Sequence, residues 1–323
     1  MEVLDGFERS SIEKAVESLR KGDVVAFPTE TVYGLGADVE NPYAVAKIFE
    51  IKKRPKFDPL IVHISDKEWV FRIADLVPPE ATKLIDRFWP GPLTLILKKK
   101  DNIPGIVTAG LGTVGIRMPS HPVAHDLIKS FNGPIAAPSA NPFGYMSPTK
   151  AHHVAKLLGE NVPLILDGGE SACSFGLEST IVSFRDGRVY VHRHGAISLE
   201  ELSRVARQVC EKEAAGVCES PGQLPYHYAP GRPLKIVDSA DEIEIAKSSF
   251  LAFTTADKNP PSKYVKVLSP RGDMREAAAN FFASLIELDR EDVDIIYAER
   301  MPEKGLGKAM MERLKKASKK YSI

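Results

Sequence analysis

The sequence predicts an α/β protein built as two units, and three observations carry that prediction. The chain has 323 residues, more than the about 250 to 300 over which a single hydrophobic core grows. Short apolar runs that end in Gly, Pro or Asp alternate with segments of helical apolar period along nearly all of it, the pattern of strands alternating with helices. Between residues 219 and 233 the alternation stops. The stretch Glu219-Ser220-Pro221-Gly222-Gln223-Leu224-Pro225-Tyr226-His227-Tyr228-Ala229-Pro230-Gly231-Arg232-Pro233 holds four prolines and no periodicity. We therefore expect a first domain over 1–210, an ordered linker over 211–233 and a second domain over 234–323.

In chain order, Ser10 and Glu13 have the spacing of a capping box for a helix with Ile12, Val16 and Leu19 on one face, closing near Gly22. A strand from Val24 to Phe27 runs into Pro28, a hydroxyl-rich turn (Thr29-Glu30-Thr31) and Tyr33-Gly34-Leu35-Gly36, expected as a continuation of that turn. Asn41-Pro42 opens a helix that ends in Lys52-Lys53-Arg54 before Pro55, and the strand Leu60 to Ile64 is expected beside the first. Asp66 caps a short helix with Trp69 and Phe71, and another covers Glu80 to Phe88. Trp89-Pro90-Gly91-Pro92 cannot continue a helix and leads into the strand Leu93 to Leu97. Gly115 to Met118 is a strand, Pro122 to Ser130 a helix, and Ile135 to Ala137 a strand that breaks at Pro138-Ser139-Ala140-Asn141-Pro142. Thr149 is placed to cap a helix to Leu158. Leu164 to Leu166 is a strand; Ser179 to Phe184 and Val189 to His192 flank Arg185-Asp186-Gly187 as a hairpin. Ser198 and Glu201 form a second capping-box pattern, for a helix to Cys210. Beyond the linker, strands at Leu234–Val237, Phe250–Phe253, Val265–Leu268 and Ile295–Tyr297 alternate with helices at Met274–Leu288 and Leu306–Lys319, which predicts a small parallel α/β domain.

Composition excludes several classes. Lys+Arg and Asp+Glu both number 43, so no global field draws the chain to nucleic acid or a membrane surface. Cys173, Cys210 and Cys218 are odd in number and lack CxxC spacing, which supports neither a disulfide framework nor a zinc site. The first residues carry no basic-then-apolar leader, and there is no apolar run of about 18 residues, so a cytosolic location is expected. Gly110-Leu111-Gly112-Thr113-Val114-Gly115 matches GxGxxG, but β-branched residues and Pro119 follow it, so no helix can start there to receive a dinucleotide. Gly307-Lys308 resembles a P-loop end, yet Pro302 and Ala309 occupy the positions that need Gly and Ser/Thr. The Lys315-Lys316…Lys319-Lys320 end suits a helix C-terminus electrostatically.

Hydroxyl, basic and histidine side chains collect at element ends. Lys52 and Arg54 close one helix, His63 lies on a strand, and Arg117 interrupts an apolar strand, where it needs an anionic partner. Ser139 and Asn141 lie between prolines, Glu178-Ser179-Thr180 precedes a strand, and Arg193 follows one. Singly each is a turn, a cap or a surface charge. Together, at strand ends of one α/β domain, they indicate a site for an anionic small molecule.

These residues also carry a resemblance. Lys53-Arg54-Pro55 with Pro59-Leu60 and His63, PTETVYGLG (Pro28 to Gly36), WPGPLT (Trp89 to Thr94), GIRMP (Gly115 to Pro119), PSAN (Pro138 to Asn141), DGG (Asp167 to Gly169) and ESTIV (Glu178 to Val182) follow one another as in the YrdC-type threonylcarbamoyl-AMP synthase family. SPGQLPYHYAP and SPRGD (Ser269 to Asp273) resemble its longer, two-domain branch. The resemblance implies a YrdC-like twisted mixed-sheet domain with helices around a basic cavity, then the linker and a Rossmann-like C-terminal domain. It implies that L-threonine, bicarbonate and ATP with Mg²⁺ give threonylcarbamoyl-AMP and pyrophosphate, for transfer to tRNA by downstream machinery. Carried over by position, Thr31, His63, Arg117, Ala137 and Ser179 hold threonine, with Arg117 on its carboxylate. Lys52, Arg54, Asp58, Thr113, Ser139, Asn141, Ser147 and Arg193 hold ATP, with Tyr228 closing over it. Lys52, Arg54 and Arg117 offset the charge of the reacting anions, and no residue set for a protein-held metal is implied. Asp58 departs from the family's asparagine and would repel triphosphate unless it pairs with Arg54 or helps hold Mg²⁺. His194 stands for a common proline and Tyr226 for a common serine. The alternative is a module that binds tRNA or double-stranded RNA in the same basic cavity, possible only as a weak contact given the neutral net charge.

Overall fold

The computed structural model describes residues 1–211, 220–222, 227–254 and 260–321. In chain order the elements are β1 (Glu2–Asp5), α1 (Arg9–Arg20), β2 (Val25–Phe27), β3 (Gly34–Asp38), α2 (Pro42–Lys52), β4 (Ile61–His63), α3 (Val70–Ile73), β5 (Ala74–Leu76), α4 (Pro79–Phe88), β6 (Leu93–Lys99), β7 (Thr113–Arg117) and α5 (Pro122–Phe131). There follow β8 (Ile135–Ala136), α6 (Ala151–Leu158), β9 (Leu164–Asp167), β10 (Thr180–Arg185), β11 (Arg188–Arg193), α7 (Leu199–Ser203) and β12 (Val209–Glu211). The C-terminal domain holds β13 (Leu234–Val237), β14 (Ser248–Ala252), β15 (Tyr264–Val267), α8 (Met274–Leu288), β16 (Ile295–Glu299) and α9 (Leu306–Lys319).

The first sheet runs β1-β9-β2-β3-β8-β4-β7-β6-β10-β11-β12, with β5 on β6. It is mixed: β4 pairs β7 parallel, β6 pairs β7 antiparallel and β10 pairs β6 parallel. The second sheet is all parallel, in the order β13-β16-β14-β15. The two-residue period of the strands sorts the first sheet's central side chains. Val62, Leu95, Ile116 and Val182 belong to the main core, while Ile61, Ile96 and Ile181 form a small separate cluster. His63 and Arg117 are partners in the β4–β7 register and share the face of Ile61.

Several expectations change. Tyr33-Gly34-Leu35-Gly36 does not extend a turn: Gly34–Asp38 is β3, antiparallel to β2. β4 therefore does not lie beside β2, because β3 and β8 stand between them. The glycines belong in a strand for steric reasons: a Cβ at Gly36 would come within 2.7 Å of Phe27 Cε1 and 2.8 Å of Ile135 Cγ2. The capping box at Ser10 does not form. Helix α1 starts at Arg9 with Glu8 as an N-cap that makes no side-chain bond, whereas Ser198 and Glu201 make both bonds of theirs. That second helix stops at Ser203, and Val209–Glu211 adds to β11 as a parallel strand. Lys150, not Thr149, precedes α6. Strands β1 and β5 were not expected; β1 completes the sheet's edge by parallel pairing with β9. The hairpin turn is as expected, with Asp186 at φ 50° and Gly187 at φ 72°, the left-handed pair that tight hairpins require. Tyr226 and Cys218 lie outside the described residues; Cys173 and Cys210 are free thiols.

Gly36→Ala is expected to lower stability by about 1 to 3 kcal/mol, the cost of overpacking. Gly112→Ala, where an added Cβ meets nothing within 4 Å, should stay within about 0.5 kcal/mol of wild type. Urea unfolding of the two variants checks this, and equal midpoints would contradict the steric account of β3.

Candidate active site

A cavity of about 50 Å³ lies on the face of the first sheet that carries His63 and Arg117. Local chain features deliver its walls. Asn41 caps α2 by accepting from the amides of Tyr43 and Ala44, and Lys53 ends the helix at φ 52° in the left-handed region. That turn points Arg54 inward. The β10–β11 hairpin returns Arg193 to the same face as Ser179 at the start of β10. Residues between β12 and β13 complete the lining: Pro221, Gly222, His227 and Tyr228.

All five residues expected to hold threonine line this cavity: Thr31, His63, Arg117, Ala137 and Ser179. Of the nucleotide set, Arg54, Ser139, Arg193 and Tyr228 line it too. Lys52, Asp58, Asn141 and Ser147 are buried just behind its wall. The Lys52 ammonium donates to the carbonyl of Ser139 at 2.5 Å and to that of Asn141, so it anchors the turn that presents Ser139. Asp58 pairs with Arg54 at 2.9 Å, the first of the two roles open to it. Ser147 donates to Glu178 at 2.5 Å. Thr113 does not join the cavity. It opens β7, four residues from Arg117, and lines a separate groove with Ser183 and Tyr190.

Arg117 has a partner that the sequence did not suggest. Its Nη2 donates to Glu30 Oε1 at 2.7 Å and its Nε to the carbonyl of Gly91 at 3.3 Å, while Glu30 Oε2 accepts from the amide of Ser120 at 3.0 Å. Among the described residues, Nη1 has no hydrogen-bond partner and is the nitrogen left for a ligand. Arg193 donates from Nε to the carbonyl and from Nη2 to the hydroxyl of Ser179, both at 3.1 Å; that hydroxyl lies 2.7 Å from Thr94 Oγ1.

Electrostatics set the site's character. Lys52, Arg54, Arg117, Arg193 and Arg313 are buried, as are Glu30, Asp58 and Glu178, and no other Lys, Arg, Asp or Glu among the described residues is. The cations outnumber the carboxylates, and an uncompensated buried charge is costly. An anion would discharge the excess. Burial, and then the Arg54 guanidinium, pull the Lys52 ammonium down. Burial, with Arg117 adding to it, holds His63 down at about 3, and burial does the same for His227. Both imidazoles are therefore neutral near pH 7, and among the described residues the Nδ1 of each is buried without a partner. Burial pushes Tyr228 up to about 12, and its hydroxyl likewise has no partner among the described residues.

Two residues escaped the sequence reading, Glu30 and Arg313. Arg313 reaches in from α9, its Nε 2.8 Å from Glu178 Oε2. It occupies the apolar face of that helix among Met310, Leu314 and Ala317, and a lone arginine on such a stripe is the signal that would have found it. Among the described residues, no three or more His, Cys, Asp or Glu side chains converge, and Glu30, Asp58 and Glu178 are each paired with arginine.

Residues 17–195 match the family model described as Telomere recombination, which unites Sua5, YciO and YrdC. Residues 197–319 match the model described as Threonylcarbamoyl-AMP synthase, C-terminal domain. The threonylcarbamoyl-AMP synthase of Pyrococcus abyssi is 40% identical over 98% of this chain and 96% of its own. That of Bacillus subtilis is 42% identical over 95% and 92%. The crystal structure of P. abyssi Sua5 complexed with L-threonine superposes with a TM-score of 0.91 at 39% identity, covering 99% of this chain and 98% of the other.

Burial of neutral histidines has a pH signature. The folded pKa of His63 and His227, about 3, lies below the unfolded value of about 6.5. The unfolded state therefore binds more protons between these limits, and stability falls as pH drops through that window. From pH 7.5 to pH 5 each histidine should remove about 2 kcal/mol. Denaturant unfolding at the two pH values should show a smaller loss in His63→Gln than in wild type; an identical loss contradicts the assignment of a buried neutral imidazole.

Proposed function

Because the chain belongs to the Sua5/YciO/YrdC family in its two-domain form, we propose that it is an L-threonylcarbamoyladenylate synthase, joining L-threonine, bicarbonate and ATP into threonylcarbamoyl-AMP with release of pyrophosphate. The observation that carries this reading is the buried excess of arginine and lysine over carboxylate around hydroxyls and neutral imidazoles. We divide the chain into a catalytic domain (1–210), a linker (211–233) and a C-terminal domain (234–323).

The chemistry asks for what this site supplies. Threonine's amine takes up carbon dioxide as a carbamate, whose oxygen attacks the α-phosphorus of ATP while pyrophosphate leaves. Two anions must approach, so fixed positive charge and positioning carry most of the catalysis. Arg117 Nη1 is available for the threonine carboxylate, its guanidinium held in orientation by Glu30. Thr31, Ser179 and the neutral His63 offer hydrogen bonds to the rest of the amino acid, with Ala137 beside them. Arg54, Ser139 and Arg193 face the phosphates, and Lys52 holds the Ser139 turn. Mg²⁺ arrives with ATP as part of the substrate. A cavity of about 50 Å³ is far below the about 300 Å³ from which drug-sized ligand sites begin. His227 and Tyr228 cover this space, and we propose that they move aside when ATP enters, the linker acting as a lid. The product is supplied to the tRNA threonylcarbamoyl-transfer machinery.

Incubation with ATP, labelled bicarbonate and threonine should release pyrophosphate only when threonine is present; release without threonine, or none with it, contradicts the assignment. Arg117→Ala should cost about 2 to 4 kcal/mol in threonine-dependent kcat/KM. Because that change also strands Glu30, Arg117→Ala/Glu30→Gln is the cleaner variant, and near-normal turnover in it would remove Arg117 from the threonine site.

A further inference from the structure

We infer that Arg313, on the last helix of the C-terminal domain, is a positioning residue that neutralises Glu178 and so leaves Arg193 free for the triphosphate of ATP. The inference rests on the synthase reading for the role of Arg193. Glu178 is buried and lines the cavity together with Ser179 and Arg193. Its Oε1 accepts from Ser147 at 2.5 Å and its Oε2 from Arg313 Nε at 2.8 Å, and the guanidinium forms an ion pair with it, Nη2 lying 2.7 Å from Oε2. Arg313 is fixed in turn: Nη1 donates to the carbonyls of His194 and Ala309, both at 2.9 Å, and its guanidinium carbon lies 5.1 Å from the centre of the Tyr228 ring. The close packing of the two domains keeps this reach short. At Gly176, φ 62°, a Cβ would meet the carbonyl of Ala278 on α8 at 2.2 Å.

Without Arg313 the carboxylate remains buried and needs another cation. The groups facing it are Arg193 from β11, Lys316 from α9, and His227 and Tyr228 from the linker. His227 is neutral, burial pulls Lys316 down, and Arg193 is already beside Ser179. Arg193 is therefore the cation Glu178 would capture, in direct competition with phosphate. In the intact protein the trio Glu178, Arg193 and Arg313 carries one net positive charge. Removing Arg313 cancels it, and removing Glu178 as well restores it. The C-terminal domain thus contributes to the nucleotide site through charge, without touching the nucleotide.

Calorimetric titration of ATP, and separately of threonine, into Arg313→Met, Arg313→Lys, Glu178→Gln and the double variant Arg313→Met/Glu178→Gln tests this. We expect Arg313→Met to lose about tenfold or more in ATP affinity, the scale of a charge-assisted contact, with a much smaller change for threonine. The double variant should regain most of the loss, Arg313→Lys should fall between, and Glu178→Gln alone should bind ATP at least as tightly as wild type. The Arg313→Met deficit, measured relative to the double variant, should also shrink as pH is lowered and Glu178 protonates. Unchanged ATP affinity in folded Arg313→Met, or a folded double variant as weak as the single one, overturns the inference. If Arg313→Met does not fold, weaker ATP binding by Glu178→Gln overturns it. Threonine-dependent pyrophosphate release by wild type is measured alongside: its absence with ATP binding intact rejects the synthase reading and leaves the charge relation standing.

Discussion

The ion pair between Glu178 and Arg313 is the contact on which the arrangement turns. It joins residues 135 positions apart and ties the second sheet's last helix to the strand start that carries Ser179. Such a buried pair is weak as a source of stability, because desolvation offsets most of its Coulombic gain. Its weight lies in consequence: breaking it leaves a charge with no water to answer it. Burial alone would push Glu178 upward, yet Arg313, Arg193 and the Ser147 hydroxyl outweigh it and hold the carboxyl down at about 2. The site is thus built as a set of compensated charges with a positive remainder facing the cavity.

The same logic explains the other carboxylates. Glu30 does not compete for the site; it fixes the Arg117 guanidinium and leaves one nitrogen unclaimed. Asp58 holds Arg54, whose Nε and Nη2 also donate to the carbonyls of Asp58 and Pro59 at 3.0 and 2.8 Å. Each arginine is oriented before substrate arrives, and preorganised charge of this kind costs no rearrangement when the reacting anions meet. In the roof, Tyr228 sits at φ 65° and the His227 and Tyr228 rings pack 4.2 Å apart.

Much of this was legible from residues alone, and the failures share a cause. Helices α8 and α9 have the bounds that their apolar period indicates, since periodicity is a local signal. β3 was missed because the fit of Gly36 is decided by Phe27 and by Ile135, which is about a hundred residues away in the chain. The two capping-box patterns were indistinguishable in sequence, yet only Ser198 forms one; at α1 the helix begins earlier and absorbs Ser10. In the site, the ordered motifs pointed to residues that the fold brings to one cavity: Thr31, His63, Arg117, Ala137 and Ser179. The partners that tune them, Glu30 and Arg313, were not found, because a carboxylate in a turn and an arginine on a helix disclose their roles only when the fold brings them to Arg117 and Glu178.

On the proposed reading, the buried positive remainder receives substrate phosphates. Thermal unfolding with increasing inorganic pyrophosphate tests it most directly, since a ligand that binds only the folded state raises the midpoint by mass action. In wild type the midpoint should climb with the logarithm of pyrophosphate concentration once that exceeds Kd, and Arg193→Ala should abolish the rise. No rise at any pyrophosphate concentration, or an undiminished rise in Arg193→Ala, would contradict it.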